Sequence, residues 1–434
     1  MIQKDNNENV AAMTKPAWQQ SIADLFQKLF QNRRPYWVRV ICLALIGLAA
    51  EHLLDDERVL LHTRYTIYNV QTETLYRSKP AGLNTYFVAI DDDAFWKGEL
   101  ARRIPLKRNY LARLVTAVGD ASPRAIVLDF DLRAPDAKGG SVPYSDYDKE
   151  TNKLRESLQA VAMNHRLVLP RSVDVNANGQ LAEQADIFDN LSFGNGASHV
   201  YRGYIQLPYD LRTVPLCLSL PTSHLDSLAV AMLHATYPDI YDRIEGSQGG
   251  GCGRAVDLQW GRFISPARLA DRVLPAASVL AKDSTALEKI SGNVVIICAT
   301  WHQHSYKMGP PIDVHDSPAG DIPGAFVHEN YYEALIQGHY FDSLSDILID
   351  VIELVLIMLS AALMLLKKSL GWRLFAAFLP AIFMVFLSYL FLQNMGAFFE
   401  CFTPVIVLLC HMSLDRVLEW REQARKYSLL SDAS

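Results

Sequence analysis

The chain has 434 residues and a mass of 48.7 kDa; its 50% hydrophobic and 20% charged residues exclude disordered, collagen-like and small disulfide-rich proteins. A net charge of -6 at pH 7 and a pI near 6.1 argue against nucleic-acid binding, because phosphate neutralisation needs a basic surface. The mean hydropathy of +0.06 averages a polar middle against an almost continuously apolar C-terminal fifth.

Four apolar segments predict transmembrane helices, one before the polar middle and three after it. The first covers residues 35–54, and its alternative reading is a cleaved signal peptide. A long polar region before it and the lack of a small-residue cleavage site favour an uncleaved anchor. The clearest is 347–366, which at about 1.5 Å per residue covers a hydrocarbon core of roughly 30 Å. The other two are residues 374–392 and 397–414.

Basic residues flank these segments on one side: Arg33, Arg34 and Arg39; Lys367, Lys368 and Arg373; Arg416, Arg421, Arg425 and Lys426. The positive-inside rule then predicts a multi-pass protein of the bacterial inner membrane with both termini in the cytoplasm. The resulting division has a cytoplasmic tail at 1–34, an extracytoplasmic domain at 55–346 and a second tail at 415–434.

The N-terminal tail carries apolar residues at helical spacing: Trp18, Ile22, Leu25, Phe26, Leu29 and Phe30. This pattern predicts an amphipathic helix on the inner membrane surface or against a partner. The alternative is a short helix that docks on the cytoplasmic ends of the protein itself.

The polar middle alternates β-rich runs with amphipathic helices, a pattern typical of an α/β domain with a mostly parallel sheet. Predicted strands lie at 86–90, 125–128, 167–169 and 294–299, and predicted helices lie between Pro105 and Gly119 and at 148–164. If this domain is extracytoplasmic, its cysteines meet an oxidising compartment, which makes Cys217 and Cys252 candidates for a disulfide. Cys298 lies in an apolar run and is expected to be a buried free thiol.

Carboxylates follow two of the predicted strands, where ligands bind in open parallel sheets. Clustered carboxylates there would hold a hard cation such as Ca²⁺ or Mg²⁺; the alternative is that they cap helices and satisfy loop amides. With two residues from the loop after the strand at 294–299, the ligand-binding candidates are Asp91, Asp93, Asp129, Asp131, His302 and Asp313. The histidines of that loop lack the spacing of a structural zinc site, and no hydrolase motif is present.

Two acids lie on one face of the second predicted transmembrane helix, Asp350 and Glu353. Acids inside a membrane are functional candidates by default, although near the interface they also reach water. His52 ends the first predicted helix at a similar depth. We therefore expect His52, Asp350 and Glu353 to couple helices, with a contact between His52 and Asp350.

Five segments occur in one order along the polar middle: the strand ending in Ile90, Asp91 and Asp92; IVLDFDL at 126–132; LSFGNG at 191–196; LRTVPL at 211–216; and GPPIDVHDSPAGDIPGAFVHENYYEAL at 309–335. Together they resemble the CHASE sensory domains of the second class, the extracellular input modules of bacterial adenylate cyclases, histidine kinases and serine/threonine kinases. The resemblance runs from about 86 to 338 and includes one helix before the domain and three after it.

The chain departs from that family in two places. Residues 103–108 read RIPLKR where the family tends to carry a Trp-Pro-Trp-Pro-Arg-like stretch, and the sequence ends at Ser434 without the usual output domain. The resemblance implies a non-enzymatic sensor that binds a small or envelope-derived signal and acts through a separate cytoplasmic or membrane effector, as a homo-oligomer. The alternatives are an oligomeric scaffold or pore-forming subunit and a metal-dependent periplasmic enzyme.

Overall fold

A computed structural model describes most of the chain. The described residues are 34–54, 61–62, 65–66, 84–132, 144–175, 180–184, 186, 199–221, 223–247, 255–258, 264, 266–318, 320–338, 340–342, 346–366, 369–394 and 402–431. They divide into two compact units, one helical and one α/β, which are described separately. The predicted N-terminal amphipathic helix and Cys252 lie outside the described residues.

The described helices, in chain order, are α1 Arg34–Leu54, α2 Arg108–Asp120, α3 Tyr147–Ala162, α4 Leu228–Thr236, α5 Pro238–Ser247, α6 Pro266–Leu269, α7 Ala276–Leu280, α8 Ser284–Ile290, α9 Gly324–Gln337, α10 Asp346–Leu366, α11 Leu370–Asn394 and α12 Phe402–Ser431. The strands are β1 Thr85–Ile90, β2 Ala125–Leu128, β3 Arg166–Arg171, β4 Val173–Val175, β5 Leu181–Glu183, β6 Val200–Tyr204, β7 Thr213–Pro215, β8 Cys217–Ser219, β9 His224–Asp226, β10 Ala255–Leu258, β11 Val273–Pro275, β12 Val294–Ala299, β13 Val314–Ser317, β14 Gly320–Pro323 and β15 Tyr340–Asp342.

A six-stranded sheet forms the centre of the α/β unit, in the order β11-β1-β12-β2-β3-β6, and every pair of neighbours is parallel. The predicted mostly parallel sheet is confirmed. β1 and β12 are fully paired, from Thr85 opposite Val294 to Ile90 opposite Ala299. Because all six strands run the same way, their carboxyl ends meet at one edge of the sheet, which we call the carboxyl edge.

Both faces of this sheet are buried, as parallel sheets require, and alternate residues of each strand enter different cores. Phe87 and Ile296 face a core built with α4 and α9, whereas Val88 and Ile297 face a core built with α2, α3, α7 and α8. The helix predicted between Pro105 and Gly119 is α2, and its apolar face packs as the periodicity indicated. Four short antiparallel sheets surround the main one: β7-β10-β15, β4-β5, β8-β9 and β13-β14.

Helix α9 is buried over most of its length and runs antiparallel to β1. The ring centroids of Phe326 and Phe87 are 4.2 Å apart near its amino end, whereas Glu333 lies near Asn84 and Thr85, where β1 begins. The helix begins after Pro323, whose extended backbone precedes the first turn, and ends at Gly338 with φ 66°, a conformation that favours glycine. Its amino end therefore lies towards the carboxyl edge.

The helical unit contains α1, α10, α12 and most of α11. Tyr36 near the start of α1 donates a hydrogen bond of 2.8 Å to the carbonyl of Ala361 in α10. Gly47 lies so close to Val407 of α12 that a side chain at this position would collide with it. These contacts hold α1 between α10 and α12.

Among the described residues, one segment is long and apolar enough to cross a membrane, Ile347–Leu366. Tyr36–Ala50 and Leu370–Phe383 are shorter apolar helical segments. The predicted fourth span begins outside the described residues. The four-helix membrane topology therefore stays a prediction, supported most directly at α10.

Candidate functional site

Loops from several strands meet at the carboxyl edge, which contains all six ligand-binding candidates or the loops that carry them. Thr300 donates its amide to the carbonyl of Ile90, and Asp129 donates its amide to the carbonyl of Ile297, so the ends of β1, β12 and β2 are in register. The structure assigns the aspartates of this edge to different tasks.

Asp91 and Asp93 serve local structure. The Oδ1 of Asp91 accepts a hydrogen bond of 2.9 Å from the amide of Ala94 and so caps the short turn after β1. Asp93 is exposed and accepts from the hydroxyl of Tyr306 at 3.0 Å and from Nζ of Lys97 at 3.3 Å. The Tyr306 hydrogen bond and the Lys97 ammonium lower the pKa of Asp93. Both roles match the capping alternative for this part of the cluster.

Asp92, which was not among the candidates, anchors the candidate His302. Its Oδ1 accepts from the amide of His302 at 2.8 Å, its Oδ2 lies 2.6 Å from Nδ1 of the same residue, and Oδ2 also accepts from the amide of Lys307 at 3.2 Å. The indole of Trp96 donates to the carbonyl of His302 at 3.1 Å. Asp92 is buried, so this carboxylate holds the loop after β12 against the end of β1.

Asp131 lies beyond the end of β2 and accepts a hydrogen bond of 3.2 Å from Oγ of Ser172, just after β3. It therefore ties two neighbouring strand ends together. No hydrogen bond or ion pair between described residues joins Asp131 to Asp91 or Asp93.

Asp129 is different, because its partly buried carboxylate has no hydrogen bond or ion pair with any described residue. Desolvation, followed by the nearby charge of Asp313, raises the pKa of Asp129 to about 7, while His315 lowers it. Asp313 is the candidate from the loop after β12, and its Oδ1 lies 3.0 Å from Nε2 of His315. Two carboxylates and an imidazole thus come together at the ends of β2 and β12.

Asp313 also contacts the amino end of α9. Its carbonyl accepts the amide of Gly324 at 2.9 Å, and its carboxylate packs so closely on Gly324 that any side chain there would collide with it. Asp313 has φ 55°, in the left-handed region that non-glycine residues rarely adopt. Arg102, in the connection after β1, and Lys307, in the same loop as Asp313, share that conformation with φ 62° and 57°. Such strain clusters at functional sites.

Two fully buried groups complete the cluster. His328 of α9 has an Nδ1 without a hydrogen-bond partner, and burial lowers its pKa to about 4, so the ring is neutral and this nitrogen is an acceptor if the other carries the proton. Cys298 is a buried free thiol, as predicted, and desolvation with the charges of Asp129 and Asp313 raises its pKa. Sequence reasoning missed His328 as part of the site because this residue lies on α9, whereas Asp129 and Asp313 follow strands β2 and β12.

The cluster of Asp129, Asp313, His315 and His328, which we call the acceptor cluster, offers carboxylate oxygens and imidazole nitrogens. Within the described part of the chain, no group of three or more histidine, cysteine, aspartate or glutamate side chains has the arrangement of a metal site. A divalent cation at the predicted aspartates stays a prediction.

The helical unit contains the predicted coupling residues. Nε2 of His52 lies 3.2 Å from Oδ2 of Asp350, so the expected contact is present, between partly exposed side chains. Glu353 is buried, with 1% of its surface exposed. At the other end of α1, Arg39 forms an ion pair of 2.9 Å with Asp415 of α12. The coupling role of these groups stays a prediction.

Cys217 is disulfide-bonded, and its partner lies outside the described residues. Cys42, Cys298 and Cys410 are free. The predicted pairing of Cys217 with Cys252 stays a prediction.

Comparison with known proteins gives one family. A family model described as CHASE2 domain matches residues 40–366, three quarters of the chain. Neither the curated proteins nor the solved structures gave a match. The matched region includes the parallel sheet, the acceptor cluster and α10. The chain therefore belongs to the CHASE2 family of extracellular sensory domains.

Proposed function

We propose that this protein is a membrane-anchored extracytoplasmic sensor whose acceptor cluster binds a small signal and whose transmembrane helices relay the change to a separate partner protein. The observation that carries the proposal is Asp129, a desolvated carboxylate that no described residue pairs. Buried acids are normally paired or hydrogen-bonded, so an unpaired one at the edge where parallel sheets bind ligands is a candidate for ligand recognition.

The chemistry of the cluster favours a ligand that carries hydrogen-bond donors or a positive charge. Carboxylates accept hydrogen bonds when ionised, and a neutral imidazole offers one acceptor nitrogen. A cation near Asp129 and Asp313 would offset the repulsion that now raises the pKa of Asp129. A primary amine and a divalent cation both meet this requirement.

Three observations support an extracytoplasmic position for the α/β unit. The CHASE2 family is extracellular, α10 has the length and composition of a transmembrane helix, and a disulfide such as that of Cys217 persists in oxidising compartments. Arg39 and Asp415 pair at one end of the helical unit and His52 and Asp350 at the other. This arrangement agrees with both termini on the cytoplasmic side. The family's sensory role favours a non-enzymatic protein.

Ligand binding is tested on the full-length protein in detergent micelles by thermal unfolding with calcium chloride, magnesium chloride or putrescine. A probe that binds only the folded protein stabilises it by about 2.7 kcal/mol at a hundred times its Kd. We expect at least one probe to raise the Tm of the wild type but not of Asp129→Asn. Asp120→Asn is the matched control, because Asp120 is an exposed acid at the end of α2. Equal stabilisation of Asp129→Asn would refute the role of Asp129, and no stabilisation of the wild type by any probe would count against this ligand class.

The relay is tested by purification of tagged protein from its native membrane in mild detergent, followed by mass spectrometry and native mass measurement. A stoichiometric kinase, cyclase or other effector is the expected result. A large homo-oligomer without a companion would favour the alternative of a membrane scaffold or pore-forming subunit.

A further inference from the structure

Helix α9 carries a second unusual acid, Glu329, which follows His328 in the sequence but has different neighbours. Glu329 has no exposed surface, and neither of its carboxylate oxygens has a hydrogen-bond partner. Burial of a carboxylate without any partner is strongly unfavourable, so the group must hold a proton or find a partner inside the core.

The nearest candidate is Glu333, one helical turn further along the same face. Residues four apart on a helix are neighbours, so the two carboxyl groups are within reach of each other. Glu333 is also buried and accepts a hydrogen bond of 3.0 Å from Nε2 of Gln337. Burial raises the pKa of both acids, and the charge of Glu333 raises the pKa of Glu329 further.

Other charges do not neutralise Glu329. The charge of Arg272 lowers the pKa of both glutamates, but Arg272 forms no ion pair with either. Its guanidinium lies 4.8 Å from the ring centroid of Tyr86. The remaining titratable groups on the packed elements point elsewhere: His234 of α4 stacks on Tyr241, Asp321 of β14 is exposed, and Cys298 of β12 is an electrostatic neighbour of Asp129 and Asp313. On α9 itself, His328 faces Asp313 and His315.

A third polar group lies at the same end of β1. Burial raises the pKa of Glu333, whereas hydrogen bonds from Gln337, from the backbone of Asn84 and from the buried hydroxyl of Thr85 lower it. The unused hydrogen-bonding capacity in the core between α9 and β1 therefore lies on the two carboxylate oxygens of Glu329. Two carboxyl groups that cannot both ionise are expected to retain a proton between them.

We propose that Glu329 and Glu333 form a proton-binding site in which the pair holds one proton at neutral pH. Loss of that proton places an uncompensated charge in the core against β1 and weakens the packing of α9. The site does not need the ligand proposed for the acceptor cluster, so either proposal can fail without the other.

The test is thermal unfolding of the full-length protein in detergent from about pH 5.5 to about pH 8.5. A folded state that retains a proton the unfolded state releases loses stability as the pH rises, by roughly 3 °C in Tm per pH unit. Glu329→Gln keeps the size of the side chain and needs no proton, so its Tm should depend less on pH than that of the wild type. Glu288→Gln, an exposed change on α8, should leave the dependence unchanged.

Infrared difference spectroscopy gives a readout that is independent of stability. At pH about 7 the wild type and Glu288→Gln should show a stronger carbonyl stretch of protonated carboxyl groups than Glu329→Gln, in which the remaining band comes from Asp129. Glu333→Gln is the second variant if Glu329→Gln does not fold, and it should also flatten the pH dependence of Tm. The proposal is overturned by a wild-type pH dependence in both variants or by a carboxyl band that is the same in all proteins.

Discussion

Replacement of Asp129 by asparagine should stabilise the protein at alkaline pH. The pKa of Asp129 is raised from 3.8 to about 7, so the folded state keeps this proton to a higher pH than the unfolded state does. Below about pH 4 Asp129 is protonated in both states, and its ionisation does not affect stability. As the pH rises from about 4 to about 7, the free energy of unfolding falls. At 1.36 kcal/mol per unit, the contribution at pH 8 is roughly 4 kcal/mol, which asparagine would not lose.

The assay compares urea unfolding of wild type, Asp129→Asn and Asp120→Asn, each at pH about 5 and about 8. At pH 8 the unfolding midpoint of Asp129→Asn should be clearly higher than that of the wild type, and near pH 5 the difference should be smaller. The midpoint of Asp120→Asn should equal that of the wild type at both pH values. A wild-type pH dependence that survives in Asp129→Asn would mean that Asp129 is not desolvated, and the main support for the acceptor cluster would be lost. If Asp129→Asn is more stable and no longer binds the probes, Asp129 lowers stability but is needed for binding, which is a common stability–function trade-off.

Three further predictions concern stability and assembly. Arg103 donates hydrogen bonds of 2.8 and 3.0 Å to buried Glu150, so Glu150→Gln should lower the free energy of unfolding by roughly 3 kcal/mol or more, as measured by urea unfolding. Cys217→Ser should cost about 2–5 kcal/mol and add one reactive thiol to the denatured protein; a thiol count that falls by one would argue against the disulfide. Asp350→Asn should change the Tm little, because an exposed pair with His52 is worth no more than about 1 kcal/mol; a large loss of assembly would assign it a coupling role.

The central strands could be predicted from sequence because each is a short run of apolar residues bounded by turn signals. Val294–Ala299 and Ala125–Leu128 are buried along their length, as those runs indicate. The edge strands were not predicted. Val273–Pro275 has three residues, and Val200–Tyr204 has the polar Arg202 in its middle, so neither carries enough local signal to outweigh a loop.

The location of the site could be predicted from the sequence, but the role of each aspartate in it could not. Parallel strands place their carboxyl ends at one edge, which is why aspartates after β1 and β2 lie on the same side of the sheet. Which acid is left without a partner depends on contacts far apart in sequence: Asp92 pairs with His302, 210 residues away, and Asp131 pairs with Ser172, 41 residues away. No local sequence pattern indicates which residues come into contact across such separations in the chain.

The burial of the acids of α9 could not be predicted from the sequence for a related reason. Helix α9 contains His328, Glu329 and Asn330, and glutamate and asparagine are mostly exposed in proteins, yet Glu329 and Asn330 are buried. Asn330 is satisfied by the backbone of Ile264, from a segment 66 residues earlier, whereas Glu329 has no such partner. Burial on every side of a helix is set by what packs around it, and the sequence of the helix alone does not contain that information.

Helix α9 is the element of the α/β unit that we propose for the relay. Its first residue, Gly324, packs on Asp313 of the acceptor cluster, and its centre carries the proposed proton site. Its last residue, Gln337, is followed by Gly338, by β15 and then by α10, which begins at Asp346. A ligand that draws Asp313 towards Asp129 would pull on the amino end of this helix, and a buried helix moves as a rigid element because cores are closely packed. Along the chain, eight residues separate the end of α9 from the start of α10, the helix with the length and composition of a membrane span.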